Sequence, residues 1–214
     1  MRCVVIIPAF NEEKTVGAVV AAAKQCALVA EVVVVSDGSK DRTAKVAASA
    51  GATVIALPEN RGKGGAMQAG LSSVPGDVYL FLDADLIGLT KEHVAHMLEP
   101  IIAGRVEVTL GLFGKGRLAT DLAQKIAPFL SGQRALSRSV LSQMPDFSTA
   151  GWGVEVVVNR HLQATGVPVE EILLHNVTQV MKEEKSGLVR GAISRLRMYW
   201  QIFQALGRKG RATP

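Results

Sequence analysis

Residues 3–13 read Cys3-Val4-Val5-Ile6-Ile7-Pro8-Ala9-Phe10-Asn11-Glu12-Glu13. From Cys3 to Ile7 the run is apolar and almost wholly β-branched, with no polar alternation. That is the pattern of a strand covered on both faces, as in the interior of a parallel sheet. Val16, Val19, Val20 and Ala23 then recur on one face of a helix predicted over Glu12–Cys26. Working outward, the alternation continues: strand Val32–Val35, helix Asp41–Ala50, strand Thr53–Leu57, helix Gly62–Ser73, strand Val78–Leu82, helix Lys91–Ala103 opened by Thr90 as N-cap, strand Val106–Phe113. Strands separated by single helices imply βαβ units with right-handed crossovers, hence an α/β fold with a mostly parallel sheet. Further on, the spacing predicts a basic glycine turn at Gly114–Arg117 and helices over Ala119–Leu130, Arg134–Gln143, Trp152–Thr165 and Leu188–Leu206. It also predicts a strand over Val169–His175.

The 214 residues suit one large domain, and 48% hydrophobic with 20% charged residues excludes disorder as a whole-chain reading. Cys3 and Cys26 are too few for a disulfide framework or a four-cysteine zinc site, and their apolar surroundings predict buried, reduced thiols. The net charge of +5 invites an anionic partner. Its placement narrows that reading: residues 188–214 hold Arg190, Arg195, Arg197, Arg208, Lys209 and Arg211 with no acid, leaving 18 basic and 19 acidic groups before them. The body is neutral and the tail basic. No apolar stretch reaches the ~18–20 residues of a membrane span. The first strand is too short for a signal-peptide core, so the expected location is the cytoplasm.

Ligands of open parallel sheets bind beyond the carboxyl ends of the strands. Four successive strand ends here carry polar or glycine-rich loops: Pro8-Ala9-Phe10-Asn11-Glu12, Ser36-Asp37-Gly38-Ser39-Lys40-Asp41, Asn60-Arg61-Gly62-Lys63-Gly64-Gly65 and Asp83-Ala84-Asp85. Two carboxylates directly after a buried strand are costly unless hydrated or coordinated, and their oxygens suit Mg²⁺ or Mn²⁺ that keeps positions open for substrate phosphates. The plain alternative for Asp83 and Asp85 is a turn or helix cap. The glycines around Lys63 let backbone approach an anion at a helix N-terminus, although Lys63 also reads as a solvated loop lysine. Asp37 either accepts a base N–H or shapes its turn. The full G-x-x-x-x-G-K-[ST] pattern is absent, as is a G-x-G-x-x-G after the first strand; this excludes a P-loop ATPase and counts against a dinucleotide dehydrogenase.

These four loops, in this order and covering roughly residues 4–90, resemble the ordered motifs of family-2 glycosyltransferases with a GT-A fold, a single α/β domain. Within that family the chain is most similar to the glucosyl-3-phosphoglycerate synthase and dolichyl-phosphate mannosyltransferase branches. The resemblance implies a metal-dependent transfer of a sugar from a nucleotide-diphosphate donor, UDP-glucose type ahead of GDP-mannose type. The acceptor it implies bears a phosphate, either phosphoglycerate-like or polyprenyl phosphate. Pro8, Ala9, Phe10 and Glu12 would line base and ribose, Asp37 would hydrogen-bond the base, and Lys63 would sit near base or phosphates. Asp83 and Ala84 would approach the ribose, and Asp85 would ligate Mg²⁺ or Mn²⁺, with Asp83 and His175 completing the metal set.

The resemblance reaches the second half at scattered points. Ser131-Gly132-Gln133-Arg134-Ala135 resembles an acceptor-phosphate segment, so Gln133 and Arg134 would hold the acceptor. Gly151-Trp152-Gly153-Val154-Glu155 resembles the segment with an acidic acceptor-side residue; Glu155 would be general base or hydroxyl anchor, and Trp152 would stack on the sugar or fill core. Lys182 and Lys185 would close over the diphosphate, or are a solvated charge run. This divides the chain into a nucleotide-sugar-binding half (1–113), an acceptor-binding half (114–187) and a basic amphipathic tail (188–214). Trp200, Tyr199 and Phe203 among arginines suit a peripheral membrane contact; packing on the sheet or on a second copy, as in a homodimer, is the alternative. No nucleic-acid motif accompanies the charge. Two rival functions stand beside the main one. A sugar-1-phosphate nucleotidyltransferase would carry a Gly-rich, Arg-containing first loop where Ala9-Phe10-Asn11-Glu12 stand. A non-catalytic glycosyltransferase-like partner subunit would have no use for intact Asp83 and Asp85.

Overall fold

The computed structural model describes residues 1–114, 131–149 and 153–180. Its strands are β1 (Cys3–Ala9), β2 (Val29–Asp37), β3 (Thr53–Leu57), β4 (Val78–Phe81), β5 (Leu86–Ile87), β6 (Val108–Phe113), β7 (Arg134–Ser137), β8 (Val169–Leu174) and β9 (Thr178–Gln179). The helices are α1 (Val16–Gln25), α2 (Thr43–Ser49), α3 (Gly62–Ser73), α4 (Lys91–Ile102), α5 (Arg138–Ser142) and α6 (Val154–Thr165), with a 3-10 turn at Phe147–Thr149. The helices expected over Ala119–Leu130 and Leu188–Leu206, the turn residues after Gly114, and Trp152, Lys182 and Lys185 lie outside the described residues.

Seven strands form one sheet in the order β3-β2-β1-β4-β7-β6-β8, and β5 pairs with β9 as a separate ribbon. The βαβ reading holds where the sequence alternates: β1 runs parallel to β2 and β4, β2 to β3, and β6 to β8. One expectation is corrected. The spacing predicts a helix from Arg134, but Arg134–Ser137 is a strand, antiparallel to both β4 and β6. Ala and Leu favour helix locally, yet Ala135 and Leu136 are fully buried in the slot between those strands, and sheet pairing overrides propensity. The helix begins only at Arg138, where the Ser137 side chain accepts the Val140 amide as N-cap.

The continuous apolar run in β1 is explained by two-sided burial. Val5 and Ile7 enter a core with Val16, Val19 and Val20 of α1 and Val94, Met97 and Leu98 of α4. Val4 and Ile6 enter the opposite core with Ala66 and Met67 of α3 and Val154, Val158 and Leu162 of α6. Each such side chain stabilises the fold by roughly 1.5–3 kcal/mol. α3 lies close on the sheet because of Gly70: a Cβ there would come within 2.6 Å of Ile6 Cγ2. Cys3 and Cys26 are buried and unbridged. Among the described residues no helix is long and apolar enough to cross a membrane.

Candidate active site

The strand-end loops meet along one edge of the sheet, and hydrogen bonds fasten them to each other. Asn11 takes a left-handed φ of 56°; its amide donates to Ser39 Oγ at 3.1 Å and its Oδ1 accepts the Lys40 amide at 2.9 Å. The Glu12 amide donates to Thr43 Oγ1 (2.7 Å) and the Glu13 amide to Asp41 Oδ2 (3.1 Å). Asp41 Oδ1 also accepts the Thr43 amide and hydroxyl. Burial alone would raise the Asp41 pKa, but these donors hold it below the ordinary carboxylate value. The first two loops therefore form one rigid clasp, with Phe10 exposed on it, Pro8 and Glu12 part-buried, and Ala9 buried beneath. Thr15 Oγ1 donates to Glu12 Oε2.

Asp37, at the end of β2, is buried, and its Oδ1 accepts the Arg61 amide at 2.7 Å. The Gly62 amide bonds the same carboxylate, although burial still leaves its pKa raised. Asp37 thus fixes the N-terminus of α3, whose second residue is Lys63. Gly38 must be glycine here: its φ is +68°, and a Cβ would lie 2.6 Å from Asn60 N.

Lys63 is the hub. Its Nζ lies 2.5 Å from Asp83 Oδ1 and 2.6 Å from Glu155 Oε1, with all three side chains at most 17% exposed. Desolvation of Lys63 would lower its pKa, but the two carboxylates outweigh it and raise the value. Desolvation would raise Asp83, but Lys63 and two amides hold it below the usual carboxylate range. Those amides are Gln133 Nε2 and Gln179 Nε2, each 2.7 Å from Asp83 Oδ2. A carboxylate with both oxygens so engaged is held charged and in one orientation. Gly132 passes directly over this cluster; a Cβ there would lie 2.7 Å from both Asp83 oxygens and closer still to Lys63 Nζ.

The structure therefore brings Lys63, Asp83, Gln133 and Glu155 together, from α3, the end of β4, the start of β7 and α6. Arg134, expected on a helix surface or at an acceptor phosphate, is 2% exposed; its Nη1 donates to Asn159 Oδ1 (3.0 Å) and its Nη2 to the Ser131 carbonyl (2.6 Å). It feels the charges of Glu155 and Asp83 from beneath the cluster. Gln179 is a participant that the sequence reading missed. It sits on a two-residue strand with no motif around it, and only the pairing of β9 with β5 reveals it. Ala84, between the two acids, is buried.

The resemblance gives Asp85, with Asp83 and His175, as the metal set. Among the described residues no group of three or more His, Cys, Asp or Glu side chains stands at metal-holding distances. Asp83 is engaged by Lys63 and the two amides. In the β5–β9 ribbon the Val180 amide donates to the Asp85 carbonyl (3.2 Å), and His175 lies beside Gly114 and His93. Asp83 and Asp85 are oxygen donors of the kind Mg²⁺ takes, usually one or two carboxylates with substrate phosphates and water.

Comparison with known proteins agrees with this architecture. The family described as Glycosyl transferase family 2 matches residues 4–162. The glucosyl-3-phosphoglycerate synthase of Mycolicibacterium smegmatis is 33% identical over 186 residues, covering 71% of this chain and 61% of that protein. The chain thus spans less than two thirds of that relative's length. Human dolichyl-phosphate beta-glucosyltransferase is 41% identical over 103 residues, 41% of this chain and 31% of that protein. Among solved structures, the Mycobacterium tuberculosis glucosyl-3-phosphoglycerate synthase in complex with Mn²⁺, UDP-glucose and phosphoglyceric acid superposes with a TM-score of 0.77 at 26% identity, covering 96% of this chain and 78% of that one. The same enzyme is also known with Mg²⁺ and UDP, again with a TM-score of 0.77, 26% identity and the same coverage.

Proposed function

Since this chain belongs to glycosyl transferase family 2, we propose that it transfers glucose from UDP-glucose to a small phosphate-bearing acceptor of the phosphoglycerate kind. The observation that carries the reading is the buried Lys63–Asp83–Glu155 cluster at the carboxyl edge of the sheet, reached from the clasped loops of β1 and β2. The donor and acceptor classes are supported by the mycobacterial enzyme solved with UDP-glucose and phosphoglyceric acid.

In this reading Phe10 and the clasp hold the base and ribose, with Asp37 setting the start of α3 beneath them. Lys63 places a positive charge toward the donor phosphates, and Asp83 and Glu155 accept hydrogen bonds from donor hydroxyls. Glu155 gives Oε1 to Lys63; its other oxygen serves a sugar or acceptor hydroxyl, as anchor or as base. Asp85 would hold Mg²⁺ or Mn²⁺. When bound, the ion neutralises charge building on the leaving diphosphate. Glycosyl transfer passes through an oxocarbenium-like state, which the flanking carboxylates stabilise because they are preorganised and largely dry. Gln133 and Arg134 then support the acceptor side from below.

The test is a thermal-shift panel of UDP-, GDP- and dTDP-sugars with and without Mn²⁺, followed by assay of nucleoside diphosphate release with 3-phosphoglycerate. A native-state ligand raises Tm by mass action. Selective stabilisation by UDP-glucose and release of UDP are expected. Release of pyrophosphate from a nucleoside triphosphate would instead indicate a nucleotidyltransferase, and donor binding with no transfer to any acceptor a partner subunit. A polyprenyl-phosphate acceptor is the second reading, favoured by the 41% identity to the human dolichyl-phosphate enzyme; it predicts that labelled glucose partitions into organic solvent. The basic segment after Gly187 is proposed to meet anionic lipid. Co-sedimentation with anionic vesicles, lost in a chain ending at Gly187 that still folds, is the expected result; a change of oligomeric state in that chain instead would assign the segment to a second copy.

A further inference from the structure

We propose that Gln179 is a positioning residue for Asp83, so that β9 sets the geometry of the donor pocket from 96 residues away in sequence. The inference rests on the reading of the cluster as a donor-sugar site. Its ground is the way the two residues of the β9 end divide the Asp83-Ala84-Asp85 turn between them. The Gln179 side-chain amide donates to Asp83 Oδ2 at 2.7 Å, while the next amide, that of Val180, donates to the Asp85 carbonyl at 3.2 Å. Leu86, the first residue after the turn, pairs with Gln179 itself. The turn is thus pinned to β9 at both acids.

The geometry at Asp83 shows what a second amide adds. Lys63 pulls on Oδ1 from one side at 2.5 Å. Gln133 holds Oδ2 from the β7 side at 2.7 Å, and its own Oε1 lies 3.0 Å from Ser131 Oγ. Lys63 on Oδ1 and Gln133 on Oδ2 already oppose rotation of the carboxylate about Cβ–Cγ. Gln179 adds a second donor to Oδ2 from β9, so that this oxygen stays held when the flexible lysine end moves. An ionised carboxylate only accepts, so both amides must present their NH₂ groups to it. Gln179 touches neither substrate nor reacting atoms in this scheme; it acts only through Asp83.

The experiment is a double-mutant cycle with Gln179→Leu, which keeps the volume and removes the donor, and Asp83→Asn. Donor affinity is read by calorimetry with UDP-glucose and Mn²⁺, and fold stability by urea midpoint, which needs no ligand. Loss of one charge-assisted hydrogen bond predicts about tenfold weaker donor binding in Q179L, with less than about twofold further loss when Q179L is added to D83N. Steady-state kinetics should show the loss mainly as a raised donor KM. Q179H, whose ring N–H still donates, should recover part of it. The proposal is overturned if Q179L weakens binding equally in both backgrounds, or if its urea effect is additive with that of D83N, since either result makes Gln179 a general structural residue. If the wild type binds no nucleotide sugar, the donor-site reading fails, and the urea cycle still decides whether Gln179 acts on Asp83.

Discussion

Lys63 and Glu155 lie 92 positions apart in sequence, yet Lys63 Nζ stands 2.6 Å from Glu155 Oε1 inside the fold. That contact joins the first half of the chain, which carries the ordered nucleotide loops, to α6 in the second half. With Asp83 on its other side, the lysine balances two carboxylates in a setting where an uncompensated charge is expensive. Lys63→Met should therefore leave two poorly solvated acids facing each other. Breaking a buried pair by removing one partner costs about 3–5 kcal/mol, and urea denaturation should show a loss of that order. Donor turnover should fall by at least ~100-fold, since the cation is gone as well. A near-normal urea midpoint would mean that the pair is hydrated and weak.

The same cluster sets a pH dependence. The Asp83 pKa is lowered in the fold, so its stabilising contribution is complete above the unfolded value of ~4 and disappears as pH falls through the depressed folded value. The Lys63 pKa is raised, so its contribution is complete below the unfolded value of ~10.4 and is lost only at still higher pH. The difference in Tm between wild type and D83N, measured without divalent metal, should be flat from about pH 5 to about pH 9 and shrink below about pH 4. A difference that changes steadily across neutral pH would contradict this assignment.

Asp85 and Asp83 should separate in their response to metal. Asp85→Asn is expected to remove the Mn²⁺-dependent part of donor affinity, lowering turnover by at least ~100-fold. Asp83→Asn should weaken donor binding whether or not Mn²⁺ is present, because its carboxylate is already committed to Lys63, Gln133 and Gln179. Calorimetry of UDP-glucose with EDTA and with Mn²⁺ distinguishes the two. Equal metal dependence in both variants would make Asp83 a ligand alongside Asp85.

The clasp between the first two loops predicts a different phenotype. Asp41→Ala orphans the amides of Glu13 and Thr43 and frees the Thr43 hydroxyl that meets the Glu12 amide. Unsatisfied donors at a part-buried site cost about 1–3 kcal/mol, to be read as a lower Tm. The loops would then lose their fixed spacing, so donor KM should rise more than kcat falls. An unchanged KM would show that base and ribose do not lie on this clasp.

How much of this was legible depended on whether the signal was local. The strand ends of β1 to β4 could be read because each carries its own loop chemistry, and the unbroken apolar run Cys3–Ile7 announces two-sided burial. β7 was not legible: Arg134-Ala135-Leu136-Ser137 has no strand pattern of its own and is extended because β4 and β6 leave a slot for it. Gln179 carried no signal either, since an isolated glutamine acquires a role only when β9 folds back on β5.

Gly132 gives the sharpest test of the cluster, because the change is a single methyl group. Its φ is not in the left-handed region, so alanine is tolerated by the backbone; the obstacle is what stands over it. An added Cβ would lie 2.7 Å from each Asp83 oxygen and nearer to Lys63 Nζ. Lysine ends are flexible, so part of the clash can be relieved by moving Nζ, but that breaks the bridge to Asp83 or to Glu155. Asp83 cannot retreat without releasing Gln133 and Gln179. Gly132→Ala should therefore lower donor affinity by at least ~10-fold, with destabilisation of the ~1–3 kcal/mol typical of overpacking. A surface or merely structural glycine would show the stability loss without the affinity loss. If G132A binds UDP-glucose as the wild type does, Lys63, Asp83 and Glu155 are not arranged around the donor as proposed.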